Sequence, residues 1–76
     1  MDSIAFALRG EHIALDSLLK ATGLAASGGD AKGLIASGAV QVNGQPERRR
    51  ARKLRAGDVV LAGGQRVLLQ RGPQGA

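Results

Sequence analysis

The sequence contains no cysteine, tryptophan or tyrosine, and it has one phenylalanine and one histidine. Without cysteine the chain can form no disulfide, no zinc–thiolate site and no thiol nucleophile. A single histidine, His12, cannot form a histidine cluster, so we expect no metal site and no cofactor. The core must be built from aliphatic side chains, because Phe6 is the only aromatic residue.

Long apolar runs are also missing. No stretch approaches the roughly 20 apolar residues that a membrane-spanning helix needs. The first ten residues, MDSIAFALRG, lack a basic region followed by a long apolar stretch and do not resemble a secretion signal. We therefore expect a cytoplasmic protein. With 76 residues, 43% of them hydrophobic, the chain is expected to fold as a single domain over residues 1–76.

Positive charge is in excess, with eleven Lys and Arg against six Asp and Glu. The resulting net charge of +5 favours polyanions, with nucleic acid ahead of anionic membranes. Six of the eleven cations lie within the eight residues RRRARKLR, and no acid lies among them. We call this stretch, Arg48–Arg55, the arginine segment.

The arginine segment has two interpretations. Concentrated cations bind a phosphate backbone by displacing condensed counterions, and arginine adds forked hydrogen bonds to phosphate oxygens. The alternative is a solvated loop that keeps the protein soluble. Six cations without interleaved acids repel one another, which favours a polyanion partner. The segment lacks the large apolar anchors of a membrane-surface helix.

Two short helices are predicted in the first half of the chain. The first is marked by leucines that share one helical face: Leu15, Leu18 and Leu19. Gly23 follows as its C-terminal stop. Ser27, with Asp30 three residues later, resembles a capping box that starts the second helix, and Gly38 ends it. Neither helix is long enough to be stable alone, so we expect a helix–loop–helix packed against a sheet.

The strands of that sheet are indicated by alternating patterns and turn residues. Residues 3–8 are expected to form a strand at the sheet edge. Val40–Val42 alternates and precedes an Asn43-Gly44 turn, and Gly63-Gly64 separates VVLA from QRVLL as in a tight hairpin. We expect an α+β fold with two short helices on a small, mostly antiparallel sheet. The tail, residues 72–76, is expected to be flexible.

The order of these elements resembles a known family over roughly residues 13–61. The matching positions are Leu15-Asp16, Leu18-Leu19, Gly23-Leu24, Ser27, Leu34-Ile35, Gly38, Val40, Val42, Asn43-Gly44 and Gly57-Asp58-Val59-Val60. They resemble the αL RNA-binding domain of small-subunit ribosomal protein four, the S-four domain. The Ser-Gly-Gly-x-Ala-Lys form with an Arg-rich segment afterwards is similar to a branch of small stand-alone bacterial members. The resemblance implies binding of structured RNA, with ribosomal RNA and the ribosome as candidate partners.

Resemblance and charge together predict one binding surface. Its expected RNA contacts are Ser27, Gly28, Lys32, Asn43, Arg48, Arg49, Arg50, Arg52, Lys53 and Arg55. The start of the second helix offers free N–H groups, and its glycines let a phosphate approach closely. Many family members carry arginine where this chain has Ala14 and Gly28. The expected contacts therefore shift towards Lys32 and the arginine segment.

No catalytic residue is predicted. His12 has no sequence neighbour that would orient it as a base, and Ser27 is better interpreted as a helix cap than as a nucleophile. The paired glycines lack the spacing of a nucleotide-binding loop. We expect a monomer that binds structured RNA, and neither a membrane nor a small-molecule substrate. The alternative is a protein-interaction module, derived from an RNA-binding domain, whose basic patch meets an acidic protein partner.

Overall fold

A computed structural model describes residues 2–72, apart from the side chain of Asp2. These residues form two helices and seven strands. In chain order they are β1 (Asp2–Ala7), β2 (Ile13–Ala14), α1 (Leu15–Thr22), α2 (Gly28–Ala36), β3 (Gln41–Val42), β4 (Gln45–Pro46), β5 (Lys53–Leu54), β6 (Val59–Ala62) and β7 (Gln65–Gln70). The predicted α+β class is confirmed. Residues 73–76 of the tail, which was expected to be flexible, lie outside the described residues.

Five of the strands form one sheet in the order β1-β7-β6-β3-β4. Its pairs are antiparallel except for β1 and β7, which run parallel. The N-terminal strand is therefore an edge strand, as predicted, and it lies beside the last strand of the chain. The sequence could not show this pairing, because its two strands lie at opposite ends of the chain. β2 and β5 pair separately as a two-stranded antiparallel ribbon.

Two tight turns shape the sheet, and both were predicted. Asn43 and Gly44 join β3 to β4 with φ values of 52° and 85°. Gly63 and Gly64 join β6 to β7 with φ values of 58° and 77°. Two successive residues with positive φ give the backbone twist that a two-residue hairpin requires, and asparagine and glycine tolerate that conformation best.

The helices begin and end close to the predicted residues. The Ser27 hydroxyl caps α2 by accepting a 3.2 Å hydrogen bond from the backbone N–H of Asp30. The Asp30 carboxylate accepts a 3.0 Å hydrogen bond from the N–H of Ala26, one residue before the position used in a standard capping box. Gly23, after α1, adopts the left-handed conformation with φ 81°.

The core is aliphatic and lies between the helix pair and the inner face of the sheet. Its buried side chains are Leu8, Leu15, Leu18, Leu19, Ala25, Ala31, Ile35, Val40, Val42, Leu54, Val60, Ala62, Val67 and Leu69. Phe6 packs at the margin of this core and is only partly buried. One acidic residue, Glu47, is also buried, and it lies directly before the arginine segment.

Candidate nucleic-acid interface

The arginine segment caps the first helix with its backbone. Ala14 precedes α1 and provides no side-chain cap. Instead, the N–H of Leu15 donates to the carbonyl oxygen of Arg52 at 2.9 Å, and the N–H of Asp16 donates to that of Arg50 at 3.1 Å. These bonds satisfy two of the N–H groups that every helix leaves free at its start. The segment is therefore fixed against α1.

A buried leucine anchors the segment further along. Lys53 and Leu54 form β5, and Leu54 lies opposite Ile13 of β2 in the antiparallel ribbon. The Leu54 side chain is fully buried, with 0% exposure. Before it, the N–H of Arg52 donates to the carbonyl oxygen of Arg49 at 3.2 Å and closes a turn. The segment thus displays its cations from ordered backbone.

Glu47 holds the segment from its other end. Its Oε2 accepts hydrogen bonds from the backbone N–H and the Nε of Arg49, at 3.1 and 3.0 Å. Its Oε1 accepts from Arg49 Nη2 at 3.3 Å and from Arg52 Nη1 at 2.6 Å. A carboxylate offers about four acceptor positions, so all of them are filled by these two arginines. The N–H of Glu47 donates to the carbonyl oxygen of Val40 at 2.9 Å, which fixes its backbone.

The electrostatics of this cluster follow from its contacts. Hydrogen bonds from Arg49 and then Arg52 lower the pKa of Glu47 from 4.5 to about 2, although burial acts in the opposite direction. Glu47 is therefore ionised throughout the neutral range. The repulsion expected among the segment's cations is therefore partly offset at Arg49 and Arg52. The compensating acid, Glu47, directly precedes the segment, so a count of acidic residues within the segment omits it.

The other cations of the segment are more exposed to solvent or more weakly paired. Arg50 Nε lies 3.9 Å from Asp16 Oδ2, and the Arg50 side chain is 56% exposed. The Arg48 guanidinium lies over Gly38, where a Cβ atom would be 3.1 Å from its Nη2. That position is just beyond the C-terminal end of α2, where a helix dipole favours positive charge.

Lys53 and Arg55 complete the exposed set. Both are exposed, and within residues 2–72 neither side chain forms an ion pair. Residues 49–53 surround an open concavity of about 660 Å³. Its lining includes the cationic side chains of Arg50 and Lys53 and those of Arg49 and Arg52, which are paired with Glu47.

The start of α2 lies apart from the arginine segment. Ser27, Gly28 and Lys32 are exposed, but the Ser27 hydroxyl already accepts the N–H of Asp30. Gly28 begins α2, whereas Arg48 contacts Gly38 beyond its other end. A nine-residue helix rises by about 13 Å, so Ser27 and Gly28 lie about that far from the end of α2 beside Arg48, and Lys32, in the fifth position, lies about half as far. The structure therefore divides the predicted contacts into two groups instead of one cluster.

The Asn43 side chain holds the β3–β4 turn against the start of β6. Its Nδ2 donates to Asp58 Oδ1 at 3.0 Å, and its Oδ1 accepts from the N–H of Val59 at 2.9 Å. Asp58 Oδ2 also accepts the N–H of Arg55 at 2.8 Å. Burial raises the pKa of Asp58, but the bonds from Arg55 and Asn43 and the nearby positive charges outweigh it, so the pKa lies below its ordinary value. One amide hydrogen and one lone pair of Asn43 stay available to a ligand.

Comparison with known proteins agrees with this architecture. The sequence profile of the S4 domain matches residues 6–70. The chain belongs to the S4 domain family. This S4 domain is also 46% identical over 50 residues to the "Probable ribosome maturation protein RlbA" of Bacillus subtilis (strain 168). That alignment covers 66% of this chain and 70% of the relative. The family resemblance identified in the sequence is thereby confirmed.

Two features are absent from the part of this S4 domain that the structure describes. In that part, no helix is both long and apolar enough to cross a membrane. Among the same residues, no three His, Cys, Asp or Glu side chains lie close enough to hold a metal ion.

Proposed function

We propose that residues 1–76 form one RNA-binding domain that holds structured RNA through its cations and catalyses no reaction. The observation that carries the proposal is the anchoring of the arginine segment at three points. Its backbone caps α1, its Leu54 is buried against β2, and Glu47 binds two of its side chains. Membership of the S4 domain family supports RNA as the polyanion. The relative named as a ribosome maturation protein supports ribosomal RNA as the target.

Ordered cations favour an ordered ligand. Binding costs free energy for every side chain and loop that must be immobilised, and a segment already fixed by its own backbone avoids part of that cost. A folded RNA likewise presents phosphates at fixed positions, and A-form helices are recognised mainly by shape and by backbone contacts. Such contacts position a protein on RNA but carry little sequence information.

The proposed contacts fall into two groups. The first comprises the cations of the arginine segment: Arg48, Arg49, Arg50, Arg52, Lys53 and Arg55. The second comprises Ser27, Gly28 and Lys32 on α2, where Lys32 provides the positive charge. Asn43 would contribute the free hydrogen-bonding positions of its amide. The backbone of a folded RNA carries many phosphates and can meet both groups at once.

A charge-removal experiment tests the proposal. Arg48→Gln, Arg50→Gln and Lys53→Gln together remove three exposed cations and leave the Glu47 contacts in place. The control variant removes three cations elsewhere, at Arg9, Arg66 and Arg71. Affinity for a fluorescent RNA hairpin would be measured over a range of salt concentrations. Four phosphate contacts give a slope of log affinity against log salt of roughly −3.6, at about 0.9 per contact.

The segment variant should lose about 2.7 of that slope, and the control should retain most of it. Binding of the hairpin by the segment variant with an unchanged slope would contradict the proposal. Capture of partners from cell extract, with and without nuclease, tests the alternative of an acidic protein partner. That alternative is motivated by Ala14 and Gly28, which stand where many family members carry arginine. Protein partners that survive nuclease, with no RNA recovered, would favour it.

A further inference from the structure

Glu47 occupies a position that RNA binding alone does not explain. It is an acid, 7% exposed, at the base of a basic surface. All its acceptor positions are filled by Arg49 and Arg52, so none is left for a donor on RNA. A polyanion-binding surface gains nothing electrostatically from a carboxylate that holds two of its arginines. Besides stabilising the fold, Glu47 can therefore act on this surface only through the arrangement of the two arginines.

We infer that Glu47 is a positioning residue that makes this surface select structured RNA over single-stranded RNA. It does so by fixing the turn of the arginine segment and by holding Arg49 and Arg52 in ion pairs that compete with unselective phosphate binding. The inference rests on the proposed function and deepens it. The inference thereby narrows the first group of proposed contacts: Arg49 and Arg52 position the segment, and Arg48, Arg50, Lys53 and Arg55 make most of the phosphate contacts.

The fixing of the turn follows a continuous series of contacts. Glu47 is held by Val40, and it binds the backbone N–H of Arg49 as well as the Arg49 side chain. Arg49 accepts the N–H of Arg52, whose own carbonyl accepts the N–H of Leu15 at the start of α1. Glu47 therefore connects Val40, next to β3, with the start of α1 through the arginine segment.

Glu47 can change selectivity because selectivity is the difference between the affinity for structured RNA and the affinity for single-stranded RNA. A mobile arginine can bind phosphate on any polyanion, whereas a fixed set of cations fits only a ligand whose phosphates match its spacing. Arg49 is 75% exposed along its side chain, so its bonds to Glu47, and not burial, restrain it. Removal of the carboxylate should release it towards any nearby phosphate.

The test compares Glu47→Gln with Glu11→Gln. Both changes raise the net charge by one, and Glu11 is an exposed acid that touches neither Arg49 nor Arg52. The salt dependence of binding is measured for an RNA hairpin and for a single-stranded uridine oligonucleotide. In Glu47→Gln, two freed arginines should steepen the slope of log affinity against log salt for the oligonucleotide by up to about 1.4. Binding of the oligonucleotide at 0.1 M salt should tighten by up to about 25-fold. Glu11→Gln should change the preference for the hairpin by less than about twofold.

A double-mutant cycle separates positioning from a general effect of charge. Arg49→Gln in the native background should change the hairpin slope by less than about 0.3, because Arg49 is already engaged. Arg49→Gln in the Glu47→Gln background should lower the oligonucleotide slope by about 0.7, because Arg49 is then free. Arg50→Gln serves as the comparison and should lower the hairpin slope by about 0.9 in either background.

Each outcome bears on one of the two claims. Equal hairpin preference for Glu47→Gln and the native chain would overturn the inference. If Glu47→Gln does not fold, the single variants in the native background decide. Equal losses of hairpin slope for Arg49→Gln and Arg50→Gln would overturn the inference. A loss confined to Arg50→Gln would support it. Failure of the native chain to bind the hairpin with any salt dependence would instead contradict the proposed function.

Discussion

The N–H of Leu15, the first residue of α1, donates a 2.9 Å hydrogen bond to the carbonyl oxygen of Arg52. This bond joins the helix–loop–helix of the S4 domain to its arginine segment through backbone alone. The same segment is neutralised in part by Glu47, the buried acid that precedes it. Backbone anchoring and a local counter-ion thus make a run of cations compatible with an ordered fold.

Truncation of the anchor should loosen the segment. Leu54→Ala removes a fully buried side chain from β5 and is expected to destabilise the fold by about 2–5 kcal/mol in denaturant titration. Hydrogen exchange at the N–H groups of Leu15 and Asp16 should accelerate, because their acceptors belong to the same segment. Lys53→Ala, an exposed neighbour in β5, is the control and should change stability by less than about 0.5 kcal/mol. Equal exchange at Leu15 in both variants would show that the segment does not depend on Leu54.

Low pH should remove the contribution of Glu47 to stability. Its pKa falls from 4.5 to about 2 on folding, so the stabilisation is fully present above pH 4.5 and is lost as the pH falls towards 2. The stability difference between the native chain and Glu47→Gln should therefore shrink between pH 6 and pH 2.5. Thermal unfolding of both proteins over that range measures it, with Glu11→Gln as the charge control. A difference that stays constant down to pH 2.5 would contradict the ion-pair geometry.

Removal of the Asn43 side chain should lower the stability of the fold and leave the charge of the surface unchanged. Asn43→Gly keeps the positive φ of 52° available while losing the bonds to Asp58 and Val59. The loss of these two hydrogen bonds, at about 0.5–1.5 kcal/mol each, should lower stability by about 1–3 kcal/mol. Hairpin affinity at a temperature well below unfolding should weaken by no more than about tenfold, with an unchanged salt slope, since no cation is lost. A changed slope would mean that the turn governs the position of the arginine segment.

Lys32 tests the second group of contacts. It is exposed on α2, so Lys32→Gln should leave stability within about 0.5 kcal/mol of the native value. The hairpin salt slope should fall by about 0.9 if Lys32 meets a phosphate. Arg71→Gln is the matched control and should leave the slope unchanged. Identical slopes for the two variants would remove α2 from the proposed surface.

Local chemistry explains why much of the fold could be predicted. The Ser27 cap needs only a donor three residues away, and the Asn43-Gly44 and Gly63-Gly64 turns depend on the conformations that those residues tolerate. The parallel pairing of β1 with β7 has no local cause. It is fixed by side chains that meet only after the chain has folded, as is the two-residue ribbon of β2 and β5.

The candidate site was likewise predicted only in part. Charge density alone identified the arginine segment, because six cations in eight residues stand out in any sequence. The bonds of Glu47 to Arg49 and Arg52 were not predicted, since offsets of two and five residues have no fixed meaning outside a helix or strand. The helix cap supplied by the carbonyls of Arg50 and Arg52 was also missed, because every residue has a backbone carbonyl and the sequence does not show which ones will lie at the helix start.

The most direct test of RNA binding by the arginine segment is a titration of the nitrogen-15-labelled protein with an RNA hairpin, followed by amide chemical shifts. The largest changes should fall on the arginine segment and on the N–H groups of Leu15 and Asp16, which donate to its carbonyls. Smaller changes should occur around Lys32. Changes confined to β1 and β7 at the far edge of the sheet, or the absence of any change, would contradict the account.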